Sequence, residues 1–322
     1  MPTNPYISEG PPEMRPSLVC YADILGYRSL SRCVLGNGMG AGFLAHLHRA
    51  LAGAHQRVRD HAESTARRLW FATDVFTDHI VVGYPLLRPQ SDLGEPEMYD
   101  ILGIFAEFQI GLAMEGFFLR GGIAYGNHYM DQDVVFGDAL LEAVELDKTG
   151  EPPRLVLAPS ALDLVHKHLA SHFSVESSWY YEHLLKDSDG VTFLDYLSQA
   201  FMAFPDGGVF LELIEAHRDS VTAGLHTYQS KLEVQRKYEW AAHYHDFVCR
   251  DFIERHPVSC DPDGDEVYGA ATVQAQGLLK YLIDLPPSPF WTERGLVQSQ
   301  APSPKCHFSR YRGANPSTSP TP

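Results

Sequence analysis

Two aspartates stand in segments that otherwise read as β-strand. Asp23 lies in CYADILGY and Asp78 in VFTDHIVVGYP. A carboxylate inside an apolar strand is costly to bury unless a cation, a donor or a metal compensates it. If the two strands are neighbours, the carboxylates meet at one point. Like charges at that range repel unless one is protonated or a divalent cation lies between them. Such a set of oxygen donors suits Mg2+ or Mn2+ carrying a nucleoside triphosphate. Gly26, just after Asp23, lets the backbone come close to a ligand, so the N–H groups of Gly26 and Tyr27 can face phosphate oxygens. Plainer roles compete with these: Asp23 caps the following turn or helix, and Asp78 is a hairpin residue unrelated to it.

The elements that must position these residues follow from the apolar pattern. SLVCYADILGY (17–27) predicts a strand closed by Gly26. GNGMGAG (36–42) reads as loop, and no Lys-Ser/Thr follows it, so it is not a P-loop. Phe43, Leu44, Leu47, Leu51 and Val58 then recur at helical spacing through about Arg59. RLWFATDVFTDHIVVGYP (68–85) predicts two strands with a turn near Thr73–Asp74, ended by Pro85. A second helix buries Met98, Ile101, Leu102, Phe105, Phe108 and Leu112. GFFLRGGIAYG (116–126) predicts a strand, NHYMDQD a turn, VFGDALLEAVELD (135–147) a third helix and RLVLAP (154–159) a further strand. This order predicts an α+β fold: a ferredoxin-like β-α-β-β-α-β core with an added helix and strand, its helices on one face of a mainly antiparallel sheet. In such a core the first strand and the hairpin strand are central neighbours, which would bring Asp23 and Asp78 together.

The remainder reads as elaboration. SALDLVHKHLASHF (160–173) is helical, and LLKDSDGVTFLDYL (184–197) is two short strands around an Asp-Gly turn. From Phe210 to about Glu254 the pattern is one long helix kinked at Gly224. Its stripe of Tyr228, Leu232, Tyr238, Ala241, Tyr244, Phe247 and Val248 predicts core or dimer packing. The expected organisation is an irregular lead-in (1–16), a core (17–160), an elaboration with the long helix (161–285) and a Pro/Ser-rich loose tail (286–322).

Composition narrows the function classes. The 322 residues are 44% hydrophobic and 11% aromatic, enough for a packed core. With 25 basic and 41 acidic residues, the formal charge of −16 argues against a nucleic-acid polymer as partner. No apolar run reaches the ~18–20 residues of a membrane span, and the opening stretch lacks a secretory pattern. The five cysteines are scattered without a CxxC, so neither a zinc site nor a disulfide framework is indicated. The expectation is a cytoplasmic protein with reduced thiols. The 16 histidines, among them His46, His48 and His55 on one helix and His243 and His245 on another, lack metal-ligand spacing with Cys or carboxylate partners.

ADILGY, FTDHIVV, RGGIAYG and VFGDALLEAVEL, in that order, resemble the class III nucleotidyl cyclase catalytic domain. Within that superfamily the chain is similar to the bacterial pyrimidine cyclases of the Pycsar anti-phage systems. The shared segments are RGGI…G, VFG-x-AL-x-EA-x-EL, PR-[IL] and a later KYEW…YH, here Lys237-Tyr238-Glu239-Trp240 and Tyr244-His245. The resemblance covers about residues 17–250.

The resemblance implies that Asp23 and Asp78 hold two divalent ions, Mg2+ or Mn2+, with the backbone carbonyl of Ile24 as third protein ligand. One ion would activate the ribose 3′-hydroxyl and the other would neutralise the triphosphate. It further implies a homodimer with its sites at the interface and, in the cell, a separate effector activated by the cyclic nucleotide.

The departures carry information too. Purine cyclases have an Asn and an Arg where Leu141 and Glu145 stand here. Arg120 is the candidate replacement cation, with a strand-end ion pair as its competing role; Arg154 reads as structural. Asp74 occupies the position that reads the base, and an ionised Asp accepts hydrogen bonds only. It can pair with the N3–H of uracil or with the 4-amino group of cytosine, but it would face the N3 acceptor of cytosine unfavourably; a plain turn former is its competing role. Val134 at the second base-reading position cannot form hydrogen bonds through its side chain. The expected activity is conversion of UTP, with CTP as the other candidate, to the 3′,5′-cyclic nucleotide. The alternatives are a catalytically inactive nucleotide-binding module of the same fold and a dinucleotide-forming enzyme, for which the GGDEF-like turn is lacking.

Overall fold

The structure is a computed structural model that describes residues 4–7, 10–64, 72–76, 79–86, 94–147, 152–174, 178–201, 209–260, 266–267, 270–285 and 308–312. The described residues divide into two compact units. The first is built from the chain up to Leu112, Phe117–Tyr196 and the residues from Arg310 onward; the second comprises Ala113–Gly116 and Leu197–Ser309.

The first unit is organised around β1 (Arg15–Ile24). From Ser17 onward every residue of this strand is buried except half-buried Tyr21, so both faces are covered. That is the signature of a central strand, and β1 pairs on both sides. On one side lies β3 (His79–Pro85), on the other β4 (Leu119–Met130), both antiparallel. β2 (Ala72–Phe76) pairs with the far edge of β3. The spatial order β4-β1-β3-β2 is the ferredoxin-like core expected from the sequence. Its two crossover helices are α2 (Gly40–Ser64), preceded by α1 (Tyr27–Gly36), and α3 (Glu95–Met114). α2 buries Leu47, Ala50, Ala54 and Val58, and α3 buries all six residues predicted for its inner face.

On the sheet face that carries Val19 and Ala124 lies α4 (Asp138–Asp147). Ala139 and Ala143 of this helix pack with Val19 of β1 and Ala124 of β4, and half-buried Tyr21 and Leu146 close the cluster. Small residues on α4 let it lie close to the strands, and this brings its last residue, Asp147, to the end of β1.

Several boundaries differ from expectation. β1 stops at Ile24, because Gly26 takes a left-handed conformation (φ 73°) that turns the chain into α1. α1 itself buries no residue, although Leu30, Cys33 and Val34 recur at helical spacing. α2 begins inside the glycine-rich loop, at Gly40. No turn lies at Thr73–Asp74: both of these sit in β2, opposite Val82 and Val81. β4 runs on to Met130, and the reversal is made by Asp131, whose Oδ1 accepts from the N–H groups of Asp133 and Val134 at 2.8 Å each. VFG is β5 (Val135–Gly137), paired with β4, not the start of the helix.

The sheet continues past the core. β6 (Leu155–Leu157) runs parallel to β4, followed by α5 (Pro159–Leu169), α6 (Tyr180–His183), β7 (Leu184–Asp187) and β8 (Thr192–Leu194). The turn between β7 and β8 contains the predicted Asp189-Gly190.

The second unit contains α7 (Leu211–Thr227), α8 (Leu232–Arg255), a short β9–β10 pair (Ser259–Cys260 and Glu266–Val267) and α9 (Ala270–Leu278). The single long helix expected here is two helices. They are separated at Tyr228–Lys231, where the Lys231 N–H donates to the Tyr228 carbonyl (2.8 Å). Gly224 is not the kink. It is the point where α7 meets the Tyr238 ring of α8: a Cβ at this position would lie 2.0 Å from Tyr238 Cε1. Of the predicted stripe, Tyr238, Ala241, Tyr244 and Val248 are buried core, Tyr228 and Phe247 are half-buried and Leu232 is exposed. Beyond residue 286, β11 (Phe308–Arg310) joins the sheet edge beside β7, so this part of the expected loose tail is ordered strand. Arg310 donates to buried Asp195 (2.7 Å) and Tyr311 N–H to the Leu184 carbonyl (3.0 Å).

Candidate active site

Asp23 is the penultimate residue of β1, with a side chain 8% exposed. The two ladders of β1 decide what surrounds it. Its partner on β4 is Arg120 and its partner on β3 is His79. Residues directly opposite on antiparallel strands project to the same face, so both meet the carboxylate. Arg120 donates through Nε (3.0 Å) and Nη2 (2.7 Å) to the same oxygen, Oδ2. His79 Nδ1 stands 3.9 Å from Oδ1. The same nitrogen lies 2.7 Å from the hydroxyl of Tyr21, and the two rings stack with centroids 5.4 Å apart.

Asp147, at the end of α4, is the second acid at this point. Its Oδ1 is 3.1 Å from Arg120 Nε, with its side chain 15% exposed. Three strands and one helix thus contribute Tyr21, Asp23, His79, Arg120 and Asp147 to one polar cluster. Sequence reasoning finds Asp23 and Arg120 and misses the other three. Tyr21 is two residues before Asp23 and therefore shares its face. His79 and Asp147 become visible only when strand register and helix end are known.

The other predicted site residues are placed as follows. Ile24 is buried and pairs with Leu119. Leu25 N–H donates to the Phe118 carbonyl (2.8 Å), so odd positions of β1 bond to β4 and the carbonyl of Ile24 faces the β3 side. Gly26 is exposed at the start of α1, accepts from Leu30 N–H (3.0 Å), and contributes no side-chain cap. Tyr27 is half-buried, its ring 6.1 Å from that of Phe43. The backbone of Asp74 is within β2, and its side chain lies outside the described ones. Asp78 lies outside the described residues. Leu141 (65% exposed) and Glu145 sit on the solvent side of α4, and Val134 is exposed in the β4–β5 turn. Arg154 is buried and paired with Asp187 and Asp189, which is the structural role expected of it.

Among the described residues no group of three or more His, Cys, Asp or Glu side chains is arranged to hold a metal ion. The chemistry of Asp23 nevertheless fits one. It is a nearly buried hard oxygen donor at a strand end, already bound by a cation, Arg120, and the carbonyl oxygen of the next residue is of the same donor class. Among the described residues no helix is long and apolar enough to cross a membrane.

No protein-family model matches the chain, and no curated protein matches it. Solved structures give distant likenesses. The adenylyl cyclase CyaB from P. aeruginosa is 13% identical, over 48% of this chain and 81% of that one, with a TM-score of 0.36. A class III adenylyl cyclase-like ATP-binding protein from Pseudomonas aeruginosa is 10% identical, over 47% and 35%, at 0.34. The guanylyl cyclase Cya2 is 13% identical, over 47% and 79%, at 0.32. With TM-scores this low, none of them assigns a function to the chain.

Proposed function

We propose that the chain is a pyrimidine nucleotide cyclase, converting UTP, with CTP as the other candidate, to the 3′,5′-cyclic nucleotide and pyrophosphate. The observation that carries the proposal is the position of Asp23: a carboxylate at the end of the central strand, directly across from His79, which is the residue after Asp78 in the chain. In this reading Asp23 and Asp78 hold two Mg2+ or Mn2+ ions, with the Ile24 carbonyl as third oxygen. When bound, such ions acidify the ribose 3′-hydroxyl and neutralise charge on the triphosphate. The residues of the chain supply position. The N–H groups of Gly26 and Tyr27 at the uncapped start of α1 bind phosphate oxygens, Arg120 brings positive charge to the α-phosphate, and Asp74 accepts from the pyrimidine edge. Alignment of the 3′-oxygen with the α-phosphorus is then the main contribution to rate.

The rest of the reading is a homodimer sharing its sites across the interface, located in the cytoplasm, whose product activates a separate effector in anti-phage defence. Incubating the purified chain with Mn2+ and each of the four ribonucleoside triphosphates, with mass identification of products, tests the activity. A cyclic pyrimidine nucleotide is expected. A second reading, an inactive nucleotide-binding module, is favoured by one observation, the ion pair that ties Arg120 to Asp23. Nucleotide binding without pyrophosphate release would select it. Loss of activity per chain on dilution below the dimer affinity tests the shared site.

A further inference from the structure

One guanidinium serves two carboxylates at the end of β1. Arg120 places two nitrogens on Oδ2 of Asp23, while its Nε is also 3.1 Å from Oδ1 of Asp147. That second contact has no aligned hydrogen bond: Asp147 Oδ1 is a buried acceptor with none among the described residues. Oδ1 of Asp147 thus stands within ion-pair range of the donor without an aligned hydrogen bond among the described residues.

We propose that Arg120 is a resident cation that a divalent ion must displace from Asp23, and that Asp147 is the positioning residue that receives it. The inference rests on the reading of Asp23 as a metal ligand. A divalent ion on Asp23 stands within a few ångströms of the guanidinium as now placed, and cations at that range repel. Arg120 must then give up Oδ2. Without Asp147 it would surrender charge-assisted hydrogen bonds with no replacement, which are roughly twice as strong as neutral ones. With Asp147 it exchanges one carboxylate for another, and ion binding loses only the difference. The guanidinium also stays beside the site instead of turning to solvent. Asp147 therefore sets how strongly the chain's own cation competes with the metal.

Mn2+ titration of the purified full chain without nucleotide, followed by electron paramagnetic resonance, tests this. Arg120→Gln removes the competitor and is expected to tighten Mn2+ binding roughly tenfold, about 1.4 kcal/mol. Asp147→Asn leaves Arg120 with Asp23 alone and is expected to weaken it by a similar factor, while Asp147→Glu keeps wild-type affinity. A simple through-space charge effect makes the same single-variant predictions, so the double variant decides. In the Arg120→Gln background, Asp147→Asn is expected to have no further effect. An equal loss in both backgrounds, or no tightening in Arg120→Gln, overturns the proposal. Asp23→Asn separates the two levels: Mn2+ binding at wild-type strength in that variant would remove Asp23 as a ligand, and with it the reading beneath. Circular dichroism checks that each variant is folded, and the Arg120→Gln result stands even if Asp147→Asn is not.

Discussion

Arg120 and Asp23 face each other directly across the β1–β4 ladder, and both donating nitrogens converge on one carboxylate oxygen, Oδ2, at 2.7 and 3.0 Å. A fork that paired each nitrogen with its own oxygen would cover the whole carboxylate. This arrangement covers half of it, and Oδ1 is turned toward His79 on the other neighbouring strand. The carboxylate is therefore presented between two strands, one carrying a cation and the other carrying the residue next to Asp78.

Asp23→Ala is expected to abolish turnover while the fold survives. The proposed ions supply several kcal/mol of transition-state stabilisation, and losing them corresponds to a fall of roughly a thousandfold or more. The fold is expected to survive because Asp147 Oδ1, 3.1 Å from Arg120 Nε, can take up the guanidinium that Asp23 leaves. Asp78→Ala is expected to behave alike. Pyrophosphate release and far-ultraviolet circular dichroism check the two halves, and full activity in either variant would remove the two-metal model.

How far the sequence foretells this site depends on the kind of contact. Asp23 is legible because a charge among Val19, Cys20, Ala22 and Ile24 needs a partner wherever it lies. The core order is legible because strand and helix periods alternate cleanly from residue 17 to 157. Register is not legible. Nothing local says that position 120, and not 119 or 121, lies opposite position 23, and a slip of one would turn Arg120 to the other face. α1 is legible but missed: Leu30, Cys33 and Val34 recur at helical spacing directly after Gly26, although the helix buries nothing. β11 escapes because three residues in a Pro/Ser-rich stretch carry no period, and their place is set by Arg310 reaching the buried Asp195.

Asp74→Ala is expected to change base choice more than rate. An ionised carboxylate accepts hydrogen bonds from the uracil N3–H and meets the cytosine N3 lone pair unfavourably. One such mispairing in a water-poor site is worth about 1–3 kcal/mol, so the UTP-to-CTP ratio of kcat/KM should fall on the order of tenfold or more. A competition assay with both nucleotides measures it, and an unchanged ratio counts against a role for Asp74.

Acid should destabilise the fold well above the carboxylate range. His217 and His245 form a buried pair, Nδ1 to Nδ1 at 3.0 Å with rings stacked at 5.2 Å. Burial pushes the His245 imidazole down to about 4, the Tyr281 carbonyl opposing this and Arg218 adding to it. Burial and the neighbouring His245 hold His217 well below its ordinary value. His128, wholly buried in the sheet, is lowered to about 4 by burial, partly offset by Asp138. A group whose folded pKa is depressed binds its proton more readily when unfolded. The stability these neutral histidines support is complete above their ordinary pKa, 6.5, and is lost as pH falls from there towards 4. Together they amount to a few kcal/mol. Urea denaturation at pH 7.5, 6, 5 and 4.5, expressed relative to the first, measures the slope, and His245→Gln should flatten it.

Gly224→Ala tests the packing of the two long helices. The added methyl would sit 2.0 Å from Cε1 and 2.2 Å from Cδ1 of Tyr238. Tyr238 cannot easily move aside, because it is 8% exposed and its other face stacks on Tyr228 with centroids 5.5 Å apart. Overpacking of this kind costs about 1–3 kcal/mol, against a gain of about 0.4–1 kcal/mol from removing a glycine in a helix. A net fall in thermal midpoint is therefore expected. Tyr238→Ala makes room for the methyl, so Gly224→Ala placed on that background should be neutral or stabilising. Equal losses in both backgrounds would mean that the ring is not what requires glycine at this position.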